Sequence, residues 1–348
     1  MRLGPDAVAA VDSTGQMAEA LALSSHLRDA LWRVDSSGAA AVDARGGLIV
    51  AGMGGSAIGG RLALGALGPR LRRPVVVTSG YALPSWAGPE TLVLCSSYSG
   101  ATEETLACYD GAGERGAPRI AATTGGPLAE RARRDGVPIV PLPGGFQPRA
   151  AVGYGLVTAL EAAALCGAAP SLRDEVEAAA ALAESLAREL GADGPEGGEA
   201  KTLAGLLAGT IPVVLGAELT EPVAYRWACQ LTENAQVPAF SHALPEADHN
   251  QIVGWSAARD VGRFACVVLE DPLAHPRNAV RAELTAQLAQ EGALAVARVA
   301  ARGESPLERL VSLVLLGDLV SIYLAVLRGV DPVSVRAIDA LKAELARR

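Results

Sequence analysis

The chain has 348 residues, half of them hydrophobic and a fifth charged, with a net charge of −8. That length holds two ordinary domains with real cores. The acidic balance excludes a general nucleic-acid binder, which needs clustered Lys and Arg to neutralise phosphates; Arg70, Arg72 and Arg73 form a short cluster that reads as a solvated loop. In chain order, residues 1–35 read as helical, with Met17, Leu21, Leu27 and Leu31 at helical spacings. Strands are then predicted at 48–53, 74–79, 91–97, 119–124 and 138–142, alternating with helical runs. Each is rich in Val, Ile and Leu without polar alternation, as in strands buried on both faces of a parallel sheet. Helices are predicted over 149–166 and 174–190.

The stretch 191–198 (GADGPEGG) is the clearest linker. Beyond it the pattern restarts, with a helix over 200–208, a strand at 211–215, a helix over 220–234, strands at 264–269 and 293–299, and closing helices over Pro306–Arg328 and 331–346. The expectation is an α/β chain of two doubly wound parallel-sheet domains with flanking helices. Residues 1–190 form the N-terminal domain with its leading helix, and 199–348 the C-terminal domain. The repeat is one of architecture, not of residues. The apolar runs 310–316 and 319–327 together approach a membrane length, but Asp318 between them points to a buried core helix. Cys95, Cys108, Cys166, Cys229 and Cys266 show no CxxC pair, and no charged segment followed by an apolar block opens the chain. Both features lead to the expectation of a cytoplasmic protein with reduced thiols.

The turn GMGGSAIGG, residues 52–60, follows the first strand and precedes a helix. Formally it matches a dinucleotide fingerprint, which also wants an acidic residue about 20 positions on for the ribose. No Asp or Glu lies between Arg45 and Pro89. A tight turn that needs glycine for geometry alone is the second reading. A phosphate site is the third: Gly54 and Gly55 expose backbone N–H groups, Ser56 adds a hydroxyl, and the helix N-terminus adds its dipole. The third strand runs into Cys95-Ser96-Ser97-Tyr98-Ser99-Gly100-Ala101-Thr102-Glu103-Glu104, where Ser97, Ser99 and Thr102 crowd another strand-to-helix turn. These hydroxyls could serve a phosphate, cap the helix, or do both.

These two turns resemble the phosphosugar-binding turns of the sugar isomerase (SIS) domain. The wider pattern resembles the bifunctional phosphoglucose/phosphomannose isomerase family over nearly the whole chain. It continues in the segments Pro148–Gly155 (PRAAVGYG), Thr232–Phe240 (TENAQVPAF), Pro245–Trp255 (PEADHNQIVGW), Asp331-Pro332 and Ile338–Lys342 (IDALK). The resemblance implies two SIS-type, flavodoxin-like domains and aldose–ketose isomerisation of glucose or mannose 6-phosphate with fructose 6-phosphate. It implies phosphate binding by Gly54, Gly55, Ser56, Ser97, Ser99 and Thr102. No cofactor, metal, membrane or nucleic acid is implied, and a homodimer is expected.

Such a reaction needs a ring-opening acid/base, a base between C1 and C2, and positive charge for the cis-enediolate. From spacing alone Glu233 is a helix-end glutamate open to solvent; the resemblance makes it the C1/C2 base. His249 alone could be structural. The resemblance makes it the ring-opening histidine, reached across the dimer interface. Lys342, otherwise a flank beside the stripe Val335, Ile338 and Leu341, becomes a ring-opening or orienting lysine. Arg149 sits near a helix start, where the dipole disfavours a cation; the resemblance gives it the enediolate. His242, Glu246 and His249 do not match a recognised metal set. Ala101, Ser241-His242 and Ala247 depart from the family pattern and leave substrate preference open. A non-catalytic phosphosugar sensor would need the hydroxyl turns but not Glu233, His249 and Lys342 together. A glucosamine-phosphate synthase half would need a glutaminase with Cys at position 2, where this chain has Arg2.

Overall fold

The computed structural model describes residues 3–345 and 347. Three helices open the described chain, α1 (Pro5–Ala9), α2 (Gln16–Leu21) and α3 (Leu23–Ser36). The single helical stretch expected from the apolar spacing is therefore broken. Gly15 takes the left-handed conformation, φ 78°, and the Asp12 carboxylate accepts the Gln16 and Met17 N–H groups at 2.8 and 2.7 Å, which starts α2 afresh.

The first sheet contains β1 (Gly47–Ala51), β2 (Val75–Thr78), β3 (Thr91–Ser96), β4 (Arg119–Thr123) and β5 (Ile139–Pro141). Its order is β2-β1-β3-β4-β5, all parallel. Its helices are α4 (Gly54–Leu67), α5 (Glu103–Glu114), α6 (Gly126–Arg134), α7 (Val152–Leu165) and α8 (Arg173–Leu190). After α9 (Glu199–Leu207) the second sheet uses β6 (Ile211–Ala217), β7 (Phe240–Leu244), β8 (Phe264–Glu270) and β9 (Ala295–Ala300). Its order is β7-β6-β8-β9, again all parallel. The second sheet thus repeats the strand order of the first with one strand fewer. Its helices are α10 (Glu221–Ala235), α11 (Ala258–Val261), α12 (Pro276–Ala289), α13 (Pro306–Arg328) and α14 (Arg336–Leu345).

β7 was not foreseen. It is an edge strand, half exposed, and Ser241 and His242 interrupt its apolar pattern, so the continuous run that marks a buried strand is missing. Conversely, α13 has the expected bounds because both ends are signalled. Ser305 and Glu308 form a capping box, Pro306 fills the first turn, and Gly329 is left-handed, φ 64°. Every residue from 309 to 326 is buried, so α13 is a core helix although it is long and apolar enough to cross a membrane.

One apolar core runs between the two sheets, joining α3, α4, α7 and α8 of the first half to α9, α10 and α13 of the second. Smaller cores lie on the outer faces, under α5 and α6 and under α12. This layering sets the start of α7 and one face of α10 near the carboxyl edge of the first sheet.

Candidate functional site

In a sheet ordered β2-β1-β3-β4-β5 the strand order reverses between β1 and β3, and ligands of doubly wound folds bind outside the carboxyl ends of the strands at that point. The two serine-bearing turns occupy this position. Gly54 is left-handed, φ 49°, and exposed, so its backbone opens to solvent. Gly55 is packed: a Cβ there would lie 2.9 Å from the Pro148 carbonyl oxygen. The turns are joined where the Tyr98 N–H donates to Ser56 Oγ at 3.2 Å. Ser97 is buried and its hydroxyl shares a 2.8 Å hydrogen bond with that of Thr102. Ser99 is exposed and accepts the Ala101 N–H at 3.3 Å. Thr102 occupies the N-cap position of α5 without a side-chain cap; its hydroxyl turns to Ser97. Helices of 14 and 12 residues, α4 and α5, begin here, so two helix N-termini and four hydroxyls converge. That set can hold a phosphate dianion without Lys or Arg.

The contact of Gly55 with Pro148 brings in the loop between β5 and α7. Arg149 follows at once and is 3% exposed. Its Nε donates to Asn234 Oδ1 at 2.6 Å, and its Nη1 lies 3.4 Å from Glu233 Oε2. Nη2 donates to the Pro332 carbonyl. Burial pulls the Arg149 pKa down, and the Glu233 carboxylate opposes that shift. The misfit of a cation near a helix start is thus resolved by partners from α10 and from the chain beyond α13. That Pro332 contact, together with the Val333 N–H donating to Asp331 Oδ1 at 3.0 Å, accompanies the later start of α14, at Arg336 and not near 331.

Arg226, Gln230 and Asn234 recur at i, i+4 and i+8, which aligns them on one side of α10. Asp318, at the centre of α13, accepts from Arg226 Nε and Nη2 at 3.0 and 2.7 Å and from Gln230 Nε2 at 3.1 Å. Burial raises the Asp318 pKa, and the Arg226 guanidinium opposes it. Arg226 Nη2 also donates to the Arg149 carbonyl at 3.0 Å, and Asn234 Nδ2 donates to Ser321 Oγ at 2.8 Å. Glu233, beside this set, keeps a side chain 31% exposed. A carboxylate held at one oxygen by a fixed guanidinium and open to solvent can exchange protons with a bound molecule.

The structure therefore gathers Gly54, Gly55, Ser56, Ser97, Ser99, Thr102, Arg149 and Glu233. It joins neither His249 nor Lys342 to them by a hydrogen bond or ion pair among the described residues. His249 ends a 3-10 turn, Glu246–His249, and is exposed. Its neighbours anchor that turn. Asp248 accepts from Thr285 Oγ1 at 2.8 Å and Arg281 Nη1 at 3.1 Å, and Asn250 accepts the Gln251 N–H at 2.6 Å. The Asp-His-Asn triplet is thus two fastenings around one projecting imidazole. Lys342 lies on the exposed α14, which also exposes Ile338, Leu341 and Leu345. His242 lines a separate, mainly apolar cavity of about 280 Å³ under Trp255 and Phe264. Among the described residues no three His, Cys, Asp or Glu side chains gather as a metal-ligand set.

Four residues that the structure brings to this network carry no site role in the sequence pattern: Tyr98, Asn234, Arg226 and Asp318, the last of which argues there only against a membrane span. The signal for the last two was present: a single acid and a single base inside two apolar helical stretches must be paired if both are buried.

Residues 196–345 match the family model described as the bacterial phospho-glucose isomerase C-terminal SIS domain. The bifunctional phosphoglucose/phosphomannose isomerase of Caldicellulosiruptor bescii is 39% identical over 302 residues, covering 86% of this chain and 89% of the relative. The enzyme of the same name from Aquifex aeolicus is 37% identical, over 86% and 91%. Among solved structures, a glucose-6-phosphate isomerase like protein from Thermus thermophilus superposes with a TM-score of 0.62 over 98% of both chains at 20% identity.

Proposed function

The chain belongs to the bifunctional phosphoglucose/phosphomannose isomerase family and is an aldose–ketose isomerase of phosphosugars, and we propose that it interconverts glucose 6-phosphate and mannose 6-phosphate with fructose 6-phosphate without a metal. The observation that carries this is one juxtaposition. The Arg149–Glu233 pair adjoins the hydroxyl-lined turns through the packing of Gly55 on Pro148, so a sugar held by its phosphate lies with its far end toward a fixed cation and an open carboxylate.

In the proposed mechanism the turns of Ser56 and of Ser97, Ser99 and Thr102, with Gly54 and Gly55, bind the 6-phosphate. His249 of a second copy moves a proton between O1 and the ring oxygen, and Lys342 orients the opening sugar. Glu233 then takes the proton from C2 of the aldose and returns it to C1. Arg149 balances the negative charge on the cis-enediolate in between. The two aldoses differ only at C2, where the enediolate is planar, so one intermediate serves both. A homodimer is supported by the exposed His249 on its anchored turn and by the exposed apolar face of α14.

Mixing two inactive variants tests the shared site. Glu233→Gln and His249→Ala, unfolded and refolded together, are expected to recover about a quarter of wild-type turnover, since half the subunits pair unlike and each such pair rebuilds one intact site. Recovery absent from a mixture shown to contain mixed dimers would place His249 in its own subunit's site.

A further inference from the structure

Tyr98 has all of its polar groups engaged, and each reaches a different turn of the carboxyl edge. Its N–H donates to Ser56 Oγ in the first phosphate turn. Its carbonyl accepts the N–H and the hydroxyl of Thr124, after β4, at 3.1 and 2.8 Å. Its own hydroxyl donates to the Pro143 carbonyl and accepts the Phe146 N–H, both at 3.0 Å. The last two bonds grip the loop between β5 and α7, the loop that ends in Pro148 and Arg149.

That loop has little else to hold its tip. Gly144 and Gly145 are exposed, nothing lies within 4 Å of a Cβ built on either, and Gly145 has φ +99°. Past the glycines Phe146 stacks on His26 with ring centroids 5.0 Å apart. The segment is therefore a bendable link whose far end is set by the Tyr98 hydroxyl and the Phe146 ring.

We infer that Tyr98 is a positioning residue that couples occupancy of the phosphate turns to the placement of Arg149. It rests on the proposed use of those turns and of Arg149. Phosphate binding between Ser56 and Ser97–Thr102 fixes the backbone of Tyr98. The phenol hydroxyl carries that constraint across to residues 143–146 and so to the guanidinium at the other end of the sugar. Tyr98 touches no reacting atom; it keeps the two ends of the site in register.

The test is amide hydrogen exchange of the full chain with and without inorganic phosphate, in wild type and Tyr98→Phe. Phosphate is expected to slow exchange of Gly144, Gly145, Phe146 and Arg149 in wild type. In Tyr98→Phe the slowing is lost while the phosphate dissociation constant stays within about twofold. A wild-type loop that ignores phosphate, a variant loop that still responds, or a variant that loses phosphate affinity in parallel overturns the inference. Phe146→Ala loosens the loop side of the same tether and serves if Tyr98→Phe does not fold; an unchanged response there overturns it equally. This readout needs no turnover, so failure of the isomerase assignment is seen separately, as absence of activity with fructose 6-phosphate. With turnover, Tyr98→Phe is expected to lower kcat about 10-fold to 100-fold with little change in KM. The loss shrinks toward none in an Arg149→Lys background, whereas additive losses contradict coupling through Arg149.

Discussion

Glu233→Gln is expected to lower kcat for fructose 6-phosphate by about 10²–10⁴-fold, with KM and competitive inhibition by inorganic phosphate nearly unchanged. The amide keeps the shape of the carboxylate and an oxygen that accepts from Arg149 Nη1, now at 3.4 Å from Oε2. What it loses is the capacity to take a proton. The hydrogen bonds of the turns proposed to bind phosphate involve none of the Glu233 atoms, so substrate binding is expected to be retained. Steady-state kinetics with both aldose phosphates and the ketose phosphate check this. An equal loss in kcat and in phosphate affinity would make Glu233 a structural partner of Arg149 and remove the base from the mechanism.

Asp318→Ala is expected to destabilise the fold by about 3–5 kcal/mol, the usual consequence of removing one partner of a buried ion pair. Asp318 and Arg226 have side chains 8% and 2% exposed. Truncation leaves the Arg226 guanidinium with only the Arg149 carbonyl as a hydrogen-bond partner among the described residues, in the apolar layer between the sheets. For a chain of this size the thermal midpoint falls by on the order of 10 °C. The double replacement Arg226→Met with Asp318→Leu restores most of that stability, because no unpaired charge remains. Turnover is not restored with it, since the bond to the Arg149 carbonyl is gone. Thermal unfolding of the two variants beside wild type is the check, and equal midpoints for both variants would show that the pair does not act as a unit.

The parts of this site that were legible in the sequence are those whose chemistry is local. Glycine and serine between a strand and a helix mark a turn that can bind an anion, cap its helix or do both, and both such turns fall at the β1/β3 edge. The partners of Arg149 are not local. Glu233 and Asn234 come from α10 and Pro332 from beyond α13, and only the apolar layer between the two sheets sets them against the β5–α7 loop. The second sheet shows how weak an architectural repeat is as a guide to chemistry. Its corresponding turns carry Glu218 and Glu221 after β6 and Glu270 and Asp271 at the end of β8 where the first has glycines and hydroxyls, and ion pairs of Glu270 with Arg298 and of Asp271 with Arg309 close the second of them at 2.7 Å. The glycine and serine turns proposed to bind phosphate occur in one half alone among the described residues. β7 escaped notice for a related reason: an edge strand need bury only part of its surface, so its sequence carries no continuous apolar run.

The proposed reaction is isomerisation of hexose 6-phosphates by this chain without a metal. Purified protein in EDTA, given fructose 6-phosphate, with glucose 6-phosphate and mannose 6-phosphate detected by separate coupled assays, tests it most directly. The expected result is sustained formation of both aldose phosphates at a rate that EDTA does not change. No product from protein that fructose 6-phosphate stabilises against heat would contradict catalysis and leave a phosphosugar-binding protein; product that disappears with EDTA and returns with added metal would contradict the metal-free mechanism.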